Sequence, residues 1–219
     1  MDERADRILD AARGLILRLG YRKVTVEDIA AAADVGKGTV YLHWRTKHEL
    51  YEALLLREAI WLIEDLIAML RRDPATVRPS TFARESYLAT VRRPLLFALF
   101  TGDVEYLGKL ARHPLRSHDL LASDRFFAVV DRFGLTRQDI PHREQTVSAV
   151  SASFYLLDAI SPDTSALTPE DKADALAFTM RNAFEPAGEP DPDALAAAAA
   201  EYIAIFEELI PPYRKWIYD

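Results

Sequence analysis

Residues 25–49 read TVEDIAAAADVGKGTVYLHWRTKHE, and the fold of the N-terminal part is decided here. Thr25 opens a short alanine-rich helix, with Asp28 three residues on to complete a capping box. That helix ends near Ala33. Asp34-Val35-Gly36 makes a turn, and a second short helix covers about Lys37–Trp44. Thr46 caps a longer helix, with Glu49 as its box partner. Ile29, Ala33, Val35 and Val40 have the spacing that packs two short helices on each other and on a preceding one. Small alanines allow the close approach. This is a helix-turn-helix, whose second helix has the dimensions to lie in the major groove of duplex DNA.

The second helix offers chemistry suited to that groove. Its N-terminus carries unsatisfied backbone N–H groups and a positive dipole end, both favourable to phosphate. Gly36 and Gly38 put no side-chain bulk there, so a backbone can approach closely. Lys37 adds a flexible cation, and Thr39, Tyr41 and His43 add groups that bond phosphate or base edges. Thr25 and Lys47 stand at the starts of the flanking helices, where the dipole argument holds again. Each residue also has a purely structural reading. Tyr41 can pack on the small domain, Thr25 and Thr46 can act only as caps, and Lys47 can be a solvated lysine. Trp44 reads as core.

Outward from this stretch the chain reads as all-α. Apolar residues recur at three- and four-residue spacings, with no sustained alternation of β-branched residues. A first helix over Arg4–Leu19 has Ile8, Leu9, Ala12, Leu15, Ile16 and Leu19 on one stripe, and Gly20 stops it. The helix after Thr46 extends to about Leu70. Further helices are predicted near 80–92, 94–101, 103–112, 115–133, 143–160, 169–185 and 192–210, punctuated by prolines. The stretch EPAGEPDP at 185–192 reads as a loop, and the tail PPYRKWIYD has no clear period.

At the residues of the N-terminal motif the chain resembles the TetR family of repressors. The resemblance covers about residues 4–55: the apolar first helix, Gly20-Tyr21, the run Thr25–Ala30, the run Val35–Tyr41, His43-Trp44, and Lys47 with Glu49-Leu50. It implies that Thr25, Lys37, Thr39, Tyr41, His43 and Lys47 face DNA, with Thr25, Tyr41 and Lys47 mostly on phosphates. Gly36 and Leu42 depart from the common pattern, in which a small polar and an aromatic or polar residue stand there. Leu42 is left with a thymine methyl as its natural contact. The resemblance also implies a division into a DNA-binding domain at 1–50 and a ligand-binding and dimerisation domain at 51–219. The implied function is a regulator, a repressor, that binds palindromic operator DNA as a homodimer and is released by a small-molecule inducer.

The second part has no motif of equal specificity. Val147, Val150, Phe154 and Leu157 form one stripe, and Leu176, Met180 and Phe184 lie on one side of the next long helix. Two such helices from each of two chains would make a four-helix dimer bundle; the same stripes would equally serve the chain's own core. Trp61, Tyr87, Phe97, Phe100, Tyr106, Phe126, Phe127 and Tyr155 are the candidates for a pocket, most of them core by their spacing. Their bulk points to a hydrophobic or aromatic inducer.

Composition excludes several classes. The 219 residues contain no cysteine, which removes disulfides, thiolate metal sites and cysteine nucleophiles. His113 and His118 stand five apart, the wrong spacing for a metal pair on a helix, and no metal or cofactor is expected. There is no phosphate-binding glycine loop and no serine elbow, so an enzyme is not expected. A helical small-molecule-binding protein without regulatory activity is the alternative reading. The net charge of −7 is unevenly spread: residues 1–50 hold nine basic and eight acidic residues, leaving eighteen and twenty-six for the remainder. The acidic bulk thus lies outside the part that would approach phosphate. The first residues have no apolar signal core, and no apolar stretch is long enough for a membrane span, so a cytoplasmic protein is expected.

Overall fold

A computed structural model of the chain describes residues 3–103, 107–108 and 123–219. Among the described residues every regular element is helical. The order is α1 (Glu3–Leu19), α2 (Val26–Ala32), α3 (Lys37–His43), α4 (Lys47–Arg72), α5 (Pro79–Val91) and α6 (Pro94–Thr101). Then follow α7 (Ser123–Arg132), α8 (Arg143–Tyr155), α9 (Leu157–Ile160), α10 (Pro169–Phe184) and α11 (Pro192–Tyr218), with short 3₁₀ turns at Pro74–Val77 and Pro162–Ala166. No helix of the described residues is long and apolar enough to cross a membrane.

The described residues fall into two compact units. One lies within Met1–Trp61, Arg93–Ser117 and Leu209–Asp219, the other within Leu62–Arg92 and His118–Glu208. The units are interleaved in sequence, and α4 and α11 each carry residues of both.

In the first unit, α1 buries Ile8, Leu9, Ala12, Leu15 and Ile16 as its stripe requires, while Leu19 at the last turn stays exposed. Gly20 ends α1 in the left-handed conformation at φ 76°, its N–H donating to the Ile16 carbonyl. Thr25 caps α2: its Oγ1 accepts from Asp28 N at 3.1 Å, and Thr25 N donates to Asp28 Oδ2 at 2.8 Å. The turn into α3 is closed by Asp34 at φ 53° and by Val35 N donating to the Ala30 carbonyl. At α4, Thr46 Oγ1 accepts from Glu49 N at 3.1 Å, but the Glu49 carboxylate accepts from Arg45 N rather than from the cap residue. Helices α1 and α4 are tied by charge, since Arg13 donates to the fully buried Glu58 and Arg57 to Asp10.

In the second unit, α10 packs along α5. Its buried Ala173, Leu176, Met180 and Phe184 join Ala83, Tyr87, Leu88 and Val147 in one cluster, with Val150 and Phe154 packed against it. The stripes expected at a dimer surface thus serve the chain's own core, the other use left open for them. Val147, Leu176, Met180 and Phe184 are consumed by the chain's own core, and Val150, Phe154 and Leu157 are half-buried in it or beside it. The physical reason is proximity: α5 and α10 present apolar faces within one chain, and burial is satisfied there first. A second core stacks Phe82 on Phe126 at 4.9 Å, with Phe126 and Tyr202 tilted together at 4.6 Å and Tyr202 and Phe206 at 4.4 Å.

Two boundaries differ from the periodicity. The helix predicted over 143–160 is interrupted at Leu156. There Leu156 N donates to the Ser153 carbonyl, three rather than four residues back, and the Ser153 hydroxyl donates to the Val150 carbonyl at 2.7 Å. The tail read as patternless is helical: α11 continues through Pro211 and Pro212 to Tyr218. Burial of Ile217 and the tie of Tyr218 to Asp6 hold turns that local preference alone would not. The predicted helix at 103–112 and the start of the one at 115–133 fall mostly outside the described residues.

Candidate nucleic-acid interface

Helix α3 has two distinct sides. Val40, and Trp44 just beyond its end, are buried and seat the helix on the unit's core. Gly36, Lys37 and Gly38 are exposed at its start, Tyr41 is 41% exposed and Leu42 84% exposed, and Thr39 and His43 are half-buried between the two sides. Val40 and Leu42 are two residues apart, so a helix must send them to opposite sides. A Cβ built at Gly38 would meet nothing within 4 Å. The chain's own packing therefore does not require glycine there, and the bare backbone faces outward.

The cations are held in place by neighbours that sequence reasoning missed. Lys37 is ion-paired with Glu27 of α2, and its Nζ lies 5.7 Å from the centre of the Tyr41 ring. The hydrogen bond between them raises the Lys37 ammonium and lowers the Glu27 carboxyl from their ordinary values. Lys47 donates from Nζ to the Tyr21 carbonyl at 2.6 Å and sits over the Tyr21 ring at 4.4 Å. Partial burial lowers its ammonium from the ordinary lysine value. Lys47 is thus a half-buried strut between the α1–α2 turn and α4, with one of its three N–H donors spent internally. Thr25 is exposed, and its hydroxyl is engaged with Asp28 at 2.6 Å. Nothing in local spacing marks Glu27 or Tyr21; only the packing of α2 and α4 brings them to these lysines.

The structure places the seven predicted contact residues in one unit, at α3 and at the starts of α2 and α4. The predicted pocket aromatics are not gathered in this way. Trp61, Phe97 and Phe100 belong to the first unit, with the Arg57 guanidinium 4.7 Å over the Trp61 ring. Tyr87, Phe126, Phe127 and Tyr155 belong to the second. The Tyr87 and Tyr155 rings meet at 5.1 Å, tilted by 53°, with burial raising the Tyr155 hydroxyl to about 12, and Phe126 is part of the aromatic core already described. Phe127 lines a polar cleft of about 420 Å³ with Asp131, Arg143 and Glu144. Another cleft of about 790 Å³ is walled by Arg78, Arg137, Arg181 and Glu185, a charged rather than aromatic lining. Tyr106, His113 and His118 lie outside the described residues. Among the described residues no group of His, Asp or Glu is placed to hold a metal ion.

The fold and this surface define a helix-turn-helix protein. The family model described as bacterial regulatory proteins, tetR family, matches residues 8–54, so the N-terminal segment is similar to that family. The uncharacterized HTH-type transcriptional regulator YvkB of Bacillus subtilis is 45% identical over 49 residues, which is 22% of this chain and 26% of that protein. The HTH-type transcriptional repressor BepR of Brucella suis biovar 1 is 25% identical over 114 residues, 50% of this chain and 54% of that one. The chain thus spans from about a quarter to about half of these relatives' length. Among solved structures, Thermus thermophilus FadR, a TetR family transcriptional repressor in complex with lauroyl-CoA, matches with 26% identity and a TM-score of 0.50. That likeness covers 81% of this chain and 91% of that one.

Proposed function

We propose that this chain is a ligand-responsive transcriptional repressor that binds palindromic operator DNA as a homodimer through residues 1–50. The observation that carries this reading is the outward face of α3, where Tyr41 and Leu42 stand exposed beside the bare backbone of Gly38. Lys37, Thr39 and His43 complete the surface that enters the groove, with Thr25 and Lys47 at its borders on phosphates. A two-fold pair would present two such helices roughly 34–36 Å apart, matching successive major grooves.

Residues 51–219 form the ligand-binding and dimerising part in this reading. The dimer surface is moved from the buried stripes to what α8, α9 and α10 leave outside: Ala149, Ala152, Ile160, Ala175 and Phe178 are exposed. Small residues on α8 let a partner helix approach, and Phe178 at 71% exposure supplies an apolar anchor. No motif of this chain names the inducer; a small hydrophobic or aromatic one is supported by the lauroyl-CoA named for the FadR structure. Its binding would favour the arrangement whose recognition helices are wrongly spaced, with α4 as lever. Shifting the pair from 1:99 to 99:1 needs a preference of roughly 5.5 kcal/mol.

Selection of bound duplexes from a random pool tests the reading. Recovery of a palindrome, bound by a dimer in sedimentation and lost on Tyr41→Ala, is the expected result. Failure to retain any duplex, with the fold intact, refutes it and leaves a helical binding protein.

A further inference from the structure

The C-terminal residues 209–219 fall in the same compact unit as α1–α3. Pro211 and Pro212 remove two backbone donors from α11, so its last turns depend on what they touch. Ile217 is only 3% exposed. Tyr218 Oη donates to Asp6 Oδ1 at 2.6 Å, joining positions 212 apart in sequence. The same carboxylate faces Arg57 Nη1 at 3.6 Å, and Arg57 also donates to the Asp6 carbonyl at 3.2 Å and to Asp10 at 2.8 Å. Burial, and then Asp6, push the Tyr218 hydroxyl up to about 12, so it remains a donor at any ordinary pH. On the other side, Pro212, Lys215 and Trp216 share a cleft of about 730 Å³ with His43, Trp44 and Glu52. The tail therefore bonds to α1 and borders a cleft shared with α4 and the end of α3, within one unit.

We propose that residues 209–219 are a strap of the DNA-binding unit, anchored by Ile217 and latched by Tyr218 on Asp6, which holds α1 against α4. Because α1 packs on both α2 and α3, the strap fixes the base on which the recognition helix rests. Undocking it loosens α1 and lowers affinity for DNA. The first half of this claim stands on contacts alone; the second rests on the function proposed above.

Hydrogen–deuterium exchange of the full chain separates the two. Tyr218→Phe keeps the ring and deletes one hydrogen bond, so α1 amides should exchange roughly two- to tenfold faster, with α10 unchanged. Ile217→Ala should accelerate them further; if that variant does not fold, Tyr218→Phe decides alone. Exchange of α1 equal to wild type in Tyr218→Phe overturns the strap. On a duplex recovered from the random pool, Tyr218→Phe should bind several-fold more weakly. Faster α1 exchange with unchanged duplex affinity overturns the link to DNA. A wild-type chain that binds no duplex sinks the DNA reading, while exchange still judges the strap.

Discussion

Helices α3 and α10 differ in length, seven residues against sixteen, yet both obey the same geometry. In α3, Val40 goes inward and Leu42, two positions on, goes out. In α10, Leu176 and Met180 go inward and Phe178, midway between them, goes out. The regular stripe is what the chain buries in itself. The bulky apolar residue off the stripe is what remains for a partner. In the proposed function, Leu42 and Tyr41 of α3 would face DNA and Phe178 of α10 would face a second copy. The proposed dimer surface lies on the side of α10 opposite to its buried stripe.

The widest gap between the two sides should appear in α10 itself. Leu176→Ala opens a cavity against α5 and should cost about 2–5 kcal/mol. The loss should show in urea unfolding. Phe178→Ser should leave subunit stability within about 0.5 kcal/mol and instead weaken association in sedimentation. A dimer unaffected by Phe178→Ser would detach α10 from the interface and break the parallel with α3.

On α3 the expected effect is smaller and of the opposite kind. Tyr41→Ala should leave the fold intact and weaken duplex binding by roughly 1.5–3 kcal/mol, the range for a hydrogen bond to a charged group. Fluorescence anisotropy on a selected duplex reads it. A fall in thermal stability with no change in affinity would return Tyr41 to a packing role.

Thr25→Ala tests a residue with two duties and should cost about 1 kcal/mol as a lost cap. It also changes the pH response. The hydroxyl of Thr25, and then its N–H, hold the Asp28 carboxyl below its ordinary value. A carboxyl depressed by folding stabilises the fold above its unfolded value, about 4, and that support fades as pH falls through the depressed value. In Thr25→Ala the Asp28 carboxyl should rise in an NMR titration, and the acid side of the stability profile should flatten between those two values.

Much of this was legible before any coordinates. Thr25, Asp28, Gly20 and the α1 stripe are local signals, set within four residues, and the helices they predict are present. Pro79, Pro94, Pro169 and Pro192 each open a helix at the place where a missing N–H costs nothing. What stayed hidden depends on distant partners. Leu19 lies on the stripe yet is exposed, because the stripe outruns the surface it packs on. The tail of α11 is helical against its two prolines, because Ile217 and Tyr218 find places in a unit whose other parts lie far away in sequence. The pocket aromatics share a spacing but not a place, since periodicity fixes a side of a helix and not which unit receives it.

The smallest effect should come from Glu27, the partner that no local pattern marked. Its carboxylate and the Lys37 ammonium are both largely exposed, so the pair adds little stability, and Glu27→Gln should leave the unfolding midpoint unchanged. Its consequence lies in competition. A phosphate that meets Lys37 must displace Glu27, and the carboxylate itself repels the DNA backbone. Removing that charge should raise affinity for duplexes of unrelated sequence a few-fold and steepen the salt dependence by up to about one counterion. Affinity for the selected palindrome should rise less, since base contacts from Thr39 and Leu42 do not involve Glu27. The specificity ratio therefore falls while the affinity grows. Equal gains on both duplexes would show that Glu27 is only a repulsive charge near the groove, whereas no gain on either would show that Lys37 keeps its place beside Tyr41 without touching phosphate.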